Sequence, residues 1–212
     1  AGRGELLLSA IDPFVLGNKG SALIHEMLHN LGARFNGRPC HIPAALDRNG
    51  TVVHALLSGT YAGGSMDEVM ARDYLAGRYW GAMDSNEEGF WNFETMNLKG
   101  EQKDCAVYLS FWLFSPRSLV NLLLEPNMPR LDLEFAADDK LAVYVNGNLL
   151  DNAVKRQDNP ALPQRIEGIP LEKGWNHVLL KVGQLWGGWN GRFRFIATDP
   201  AYMRQLESVI MQ

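Results

Sequence analysis

His25, Glu26 and His29 stand in the order His-Glu-Met-Leu-His, a spacing that sets two imidazoles one helical turn apart. Such a pair binds zinc, and the intervening glutamate acts as general base on a metal-bound water. A third ligand is required. Gly32 fits the extended form of the pattern, but its next ligand position holds Phe35, so a glutamate from a later helix would have to serve; Glu68 in SMDEVMARDYL is the candidate. Its customary aspartate four residues on is replaced by Arg72. Zinc peptidases of this type also hold substrate on a sheet that precedes the helix, and only about 24 residues precede His25 here. The competing reading puts His25 and His29 on the polar face of an amphipathic helix.

Asp138 and Asp139 form a second group, two adjacent carboxylates that suit a hard cation such as calcium. The same pair would equally cap a turn by accepting backbone N–H bonds. A third group is the loop Gly183–Gly191, GQLWGGWNG, where Trp186 and Trp189 lie between glycines and Asn190 follows. Exposed indole rings stack on the C–H faces of sugars while an amide fixes orientation, so these three residues are the expected carbohydrate platform. The alternative is that the loop packs over the end of the fold or onto a neighbouring domain. Tyr79, Trp80 and Trp91, in YWGAMDSNEEGFWNFE, would line the same end or pack beneath a long loop; Trp112 and Trp175 are assigned to the core. Glu87 and Glu88 are adjacent and so cannot flank a glycosidic bond, which needs carboxyls held about 5–9.5 Å apart across a cleft. The chain has no Gly-x-Ser-x-Gly elbow, phosphate loop or dinucleotide fingerprint, and a nucleophile-based enzyme is not expected.

The elements that must carry these groups change character along the chain. Residues 5–11, ELLLSAI, read as a strand buried on both faces, and Leu23, Ile24, Met27, Leu28 and Leu31 share one face of a helix over 20–31 that Gly32 stops. A buried strand with nothing before it suggests that the chain begins inside a larger structure. Beyond residue 52 the period becomes two: strands are predicted at 107–115, 119–125, 131–137, 141–145, 165–171, 175–182 and 192–198, broken by Pro, Gly, Asn and Asp. That spacing predicts an antiparallel sandwich. Asn146-Gly147 is the dipeptide of a type I′ hairpin turn. At the end, Asp199 as N-cap and Pro200 at the first helical position, with Met203, Leu206 and Ile210 at helical spacing, predict a short closing helix.

Composition narrows the partners. Apolar residues are 46% and charged residues 21%, with 20 basic against 24 acidic side chains, the balance of a globular chain. A net charge of −4 without any basic run removes nucleic acid and anionic membrane as leading partners. Cys40 and Cys105 are too few for a disulfide framework, though one bridge is open to an exported protein.

Two stretches carry a resemblance. FAADDKLAVYVNGNLL at 135–150 and IPLEKGWNHVLLKVGQLWGGWNGRFRF at 169–195 are similar to the Asp-Asp hairpin and the Gly-Trp-Asn strand of the galactose-binding-like or PA14-like jelly-roll β-sandwich, appended to bacterial polysaccharide-degrading enzymes. VHALLSGTYAGGSMDEVMARDYLAG resembles a segment upstream in that family, with Gly59-Thr60-Tyr61 departing from it. GELLLSAIDPFVLGNKGSALIHEMLHNLGARF looks like the last strand and helix of a glutamine-amidotransferase-like domain found in large glycoside hydrolases. The resemblance implies a mainly β jelly-roll at 51–198, preceded by a strand–helix remnant and linker at 1–50; the closing helix read from its own residues takes 199–212. It implies a non-catalytic accessory region of a larger bacterial glycoside hydrolase, secreted or periplasmic, that binds a polysaccharide or oligosaccharide and adjoins an upstream catalytic domain. In PA14-like sugar binders an Asp pair comparable to Asp138-Asp139 holds calcium. Two alternatives stand beside this reading: a structural module that buttresses the catalytic domain, and a zinc peptidase using His25, Glu26, His29 and Glu68.

Overall fold

The computed structural model describes residues 44–62, 65–71, 80–96, 103–120, 129–150, 155–156, 163–185 and 187–210. All lie in one compact unit, Pro43–Ile210. The predicted strand at 5–11, the helix bearing His25, Glu26 and His29, and most of 119–125 lie outside the described residues, as do Cys40, Tyr79 and Trp186.

In chain order the elements are β1 (His54–Ser58), β2 (Tyr61–Ala62), α1 (Met66–Ala71), β3 (Trp80–Asp84), β4 (Phe90–Asn92), β5 (Cys105–Ser115), β6 (Leu131–Ala137), β7 (Lys140–Val145), β8 (Asn148–Leu149), β9 (Lys155–Arg156), β10 (Gln164–Ile166), β11 (Gly174–Gln184), β12 (Asn190–Ala197), α2 (Pro200–Gln205) and β13 (Glu207–Val209). They form two antiparallel sheets. The larger runs β3-β1-β5-β11-β7-β8 and the smaller β10-β6-β12-β4. The expected antiparallel sandwich is therefore the fold.

Alternation explains how the layers face. In β5, Val107, Leu109, Phe111 and Leu113 are buried, and register sets them beside Val178, Leu180 and Val182 of β11, then Leu141, Val143 and Val145 of β7. Leu131, Leu133 and Phe135 of β6 with Phe193 and Phe195 of β12 supply the opposing layer. The two meet where Phe111 touches Phe195 edge-on at 6.0 Å. Strand β5 is central because both its edges are filled: β11 pairs along its whole length, while β13, β1 and β2 succeed one another on the other side.

The predicted hairpin forms as read. Asn146 and Gly147 take φ of 52° and 82°, and Val145 pairs with Asn148 across the two-residue turn. Two elements differ from expectation. The strand predicted over 165–171 pairs only at Gln164–Ile166, after which the backbone returns to β6 through Gly168 N to Asp132 Oδ1 and Ile169 N to Leu131 O. The closing helix stops at Gln205, and Glu207–Val209 turns into an extra strand on β5. Asp199 caps α2 by accepting from Ala201 N at 2.8 Å, and buried Tyr202 bonds Ser115 Oγ at 2.6 Å, so this segment is part of the sandwich. Ala44–Gly50 joins it too, since Leu46 bridges to Val52 and its N–H donates to Ser208 Oγ.

Candidate functional site

Most of the expected sugar platform is interior. Trp189 is 0% exposed and packs on Phe93 with ring centroids 5.3 Å apart. A ring with no free face cannot stack on a ligand, so the expectation of an exposed Trp189 is corrected: the sandwich has room at this end for both an indole and Phe93. Trp91 is likewise 0% exposed, its Nε1 donating to Val52 O at 2.9 Å. Trp80 is half-buried and tilts against Tyr108. Asn190 is half-buried at the start of β12, opposite Asn92.

The structure does bring Asp138 and Asp139 to the tryptophan loop. Asp138 N donates to Asn190 O and Asp139 N to Gly183 O, while Asp139 Oδ2 accepts from Leu185 N at 2.6 Å. Asp139 thus performs the turn-capping role that competed with metal binding. Asp138 has its carboxyl pushed up to about 6, chiefly by burial, then by the charge and hydrogen bond of Asp139 and the charge of Glu94. All-oxygen donors in a negative environment fit a hard cation. No cluster of three or more metal-ligating side chains occurs among the described residues. Glu68, the proposed zinc ligand, is exposed on α1 and accepts from Ser65 N at 3.1 Å while Ser65 Oγ accepts from Glu68 N. This is a capping box, which accounts for Glu68 locally.

The aromatic surface lies elsewhere, on the outer face of the large sheet. Trp175, assigned by sequence to the core, is 39% exposed. Strand parity decides this: Asn176, Val178, Leu180 and Val182 point inward, so Trp175 and His177 point out. Trp175 sits opposite Phe114 in the ladder with the rings edge-on at 5.3 Å, and His177 sits opposite Trp112 with centroids 4.9 Å apart. Trp112, Phe114 and His177 are half-buried. Ser110 Oγ lies 2.8 Å from His177 Nε2, fixing the imidazole beside the indole. The row therefore joins four rings of partly open surface to hydrogen-bonding groups on a rigid two-strand support. Trp175 is held by its neighbour Asn176, which is fully buried and bonds Glu172 N and O and Gly174 O.

Further along the same face the cover is complete. Lys181 is 0% exposed and donates from Nζ to Val69 O at 2.6 Å and Met70 O at 3.0 Å, tying α1 down onto β11, while its ammonium also lies 5.3 Å from the Tyr108 ring centroid. The outer face of the small sheet is ionic instead: Arg165 faces Glu134, and Arg130 clamps the buried Asp132 at 2.8 Å.

No protein-family model and no curated protein matches the chain. Among solved structures it is similar to the β-glucosidase of Kluyveromyces marxianus in complex with glucose, at 13% identity and a TM-score of 0.43, covering 84% of this chain and 21% of that one. It is also similar to a family 35 carbohydrate-binding module from an environmental isolate, at 16% identity and a TM-score of 0.32, covering 56% of this chain and 82% of the module. A third is the family 35 module of Clostridium thermocellum, at 11% identity and a TM-score of 0.33, covering 69% and 97%. The chain spans about a fifth of the β-glucosidase. None of the three reaches a TM-score of 0.5.

Proposed function

We propose that the chain is a non-catalytic, carbohydrate-binding accessory region of a larger glycan-degrading enzyme. The observation that carries this is the outward row of Trp112, His177, Phe114 and Trp175 on β5 and β11. Apolar rings on a rigid strand pair offer a sugar's C–H face a ready contact without ordering a loop, and Ser110 with His177 adds polar groups at its edge. The sequence resemblance of residues 135–150 and 169–195 to modules attached to polysaccharide-degrading enzymes supports the same class. In this reading the partner is a polysaccharide or oligosaccharide, the chain adjoins an upstream catalytic domain, and the setting is secreted or periplasmic. Asp138 and Asp139 would hold calcium beside the Gly187–Asn190 loop, where a cation would favour the ionised carboxyl that burial and then the charge of Asp139 oppose. Trp186 stays in the proposal as a loop contact at that end.

Affinity electrophoresis of the full chain in gels containing xylan, mannan or mixed-linkage glucan tests it. Retardation by at least one polymer is expected, weakened about tenfold by Trp112→Ala and by Trp175→Ala, the loss of one stacked ring. No retardation by any polymer, or unchanged retardation in both variants, would sink the assignment. Burial of Trp189 favours a second reading for its loop, in which that end buttresses a neighbouring domain; Trp186→Ala would then leave glycan binding unchanged.

A further inference from the structure

Apart from Arg156, the arginines of the described residues divide into two sets. Arg117, Arg130 and Arg165 each lie within 4 Å of a carboxylate. Arg48, Arg192, Arg194 and Arg204, all exposed, have no carboxylate at that range among the described residues. These four line two adjoining clefts of about 450 and 330 Å³ on the ionic side of the sandwich, with Arg194 and Asn49 common to both. Together the two clefts set four guanidinium groups against the carboxylates of Asp47, Glu87 and Glu88, and Asp47 is turned to the backbone N–H groups of Asn49 and Thr51, which leaves charged donors in excess for an anion.

The larger cleft is a built site. Its walls are two turns set by side-chain acceptors: Asp47 Oδ1 takes Asn49 N and Thr51 N at 2.8 Å, and Asn86 Oδ1 takes Glu88 N and Phe90 N at 3.0 and 2.8 Å. They abut at Gly89, whose φ is +79° and where a Cβ would stand 2.5 Å from Thr51 Cγ2, so only glycine lets the walls close on the floor. Arg192 and Arg194 share the outer face of β12. Neutral groups hold them in place: the Arg192 guanidinium lies 5.5 Å from the Phe90 ring centroid, and Arg194 Nε donates to Asn49 O at 3.1 Å. Their remaining N–H groups are a fork suited to an oxyanion. Glu87 and Glu88, both exposed, line the same cleft. They would repel a bare anion but accept hydrogen bonds from hydroxyls.

We propose that this cleft binds an acidic polysaccharide, the arginine pair taking the sulfate or carboxylate of one sugar and Glu87 and Glu88 its hydroxyls, with the chain continuing past Arg48 and Arg204. The volume suits one or two rings. A glycan is favoured over nucleic acid because Glu87 and Glu88 offer acceptors to sugar hydroxyls and the chain, at net charge −4, has no basic run to follow a phosphodiester backbone. The proposal rests on the carbohydrate-binding reading but uses a site separate from the aromatic row.

The test is affinity electrophoresis of the full chain in about 0.15 M salt, where exposed charges more than about 8 Å apart are screened. Gels contain dextran sulfate, polygalacturonate or unmodified dextran, with poly(U) as competitor. Stronger retardation by one of the two acidic polymers than by dextran is expected, and which one names the oxyanion. Arg192→Gln with Arg194→Gln should weaken it about tenfold or more. The Glu87→Gln, Glu88→Gln variant decides the rest: hydroxyl recognition predicts weaker binding, whereas simple charge attraction predicts tighter binding and would overturn the proposal. Equal retardation by dextran, indifference to the arginine changes, or displacement by poly(U) would also overturn it. Trp112→Ala and Trp175→Ala run alongside on neutral glycans separate the two failures: if they lose binding while the arginine changes do nothing, only the cleft falls, and if no polymer binds, both do.

Discussion

The two sheets of the sandwich are alike on their inner faces and opposite on their outer ones. Inward, the larger carries Leu, Val and Phe and the smaller Leu and Phe, alternating along the strands. Outward, β6 and β12 present Asp132, Glu134, Arg192 and Arg194, while β5 and β11 present Tyr108, Trp112, Phe114, Trp175, His177 and Leu179 with a single charge, Lys181. An ionic face is content in water. An aromatic one calls for cover, and here the cover is uneven: β2, α1 and the Lys181 tether close one half, while Trp112, Phe114 and His177 are half-buried and Trp175 is 39% exposed.

If that division is right, the covered half should be the most sensitive to change. Lys181→Met keeps the apolar stem but leaves the carbonyls of Val69 and Met70 without the ammonium, and should cost about 3 kcal/mol. Urea unfolding checks it; a loss below about 0.5 kcal/mol, the scale of an ordinary surface change, would mean that α1 is not held from beneath. On the ionic face the sensitive residue is Asp132, whose side chain is 2% exposed and which also accepts from Gly168 N at 3.0 Å. Asp132→Ala should cost about 2 kcal/mol, less than a fully buried pair because Arg130 is half in water and can be solvated once released. Arg165→Ala, on the same face but nearly half exposed, should shift stability by no more than about 0.5 kcal/mol by the same measurement. An equal response to the last two would erase the distinction between a buried ionic anchor and a solvated pair.

Much of this contrast was legible in the residues. Period two placed the strands over 107–115, 131–137 and 141–145 to within two residues, and Asn146-Gly147 announced its own turn. The outer faces were harder because apolar side chains occur on both sides of β5 and β11, so alternation alone does not say which side is core. Trp175 shows the cost: judged as a large ring it goes inside, judged by parity with Val178 and Leu180 it goes out, and parity wins. Trp189 fails the other way. Glycines around it read as an exposed loop, yet the wide end of the sandwich takes its ring against Phe93, a long-range contact that no local spacing reveals. The cleft was invisible for the same reason, since Asp47, Glu87 and Arg192 meet only when three distant turns and strands are assembled.

The smallest effect tests the end of the sandwich that separates the two faces. Asp138 has its carboxyl raised to about 6 by burial, by Asp139 and by Glu94, so the folded chain holds this proton more tightly than the unfolded one. Its contribution to stability is present at acid pH and is lost as pH rises from about 4 through 6. Asp138→Asn, which mimics the protonated form, should therefore match the parent near pH 3.5 and exceed it by about 2 °C in Tm at pH 7, a modest figure because the group is partly hydrated. Calcium inverts this. A cation between Asp138 and Asp139 favours the ionised carboxyl, so millimolar calcium should raise Tm at pH 7, lose its effect as the solution is acidified below about 5, and do nothing to Asp138→Asn. If calcium leaves Tm unmoved at pH 7 while the asparagine gain appears, Asp138 is a strained turn residue whose repulsion no ion relieves.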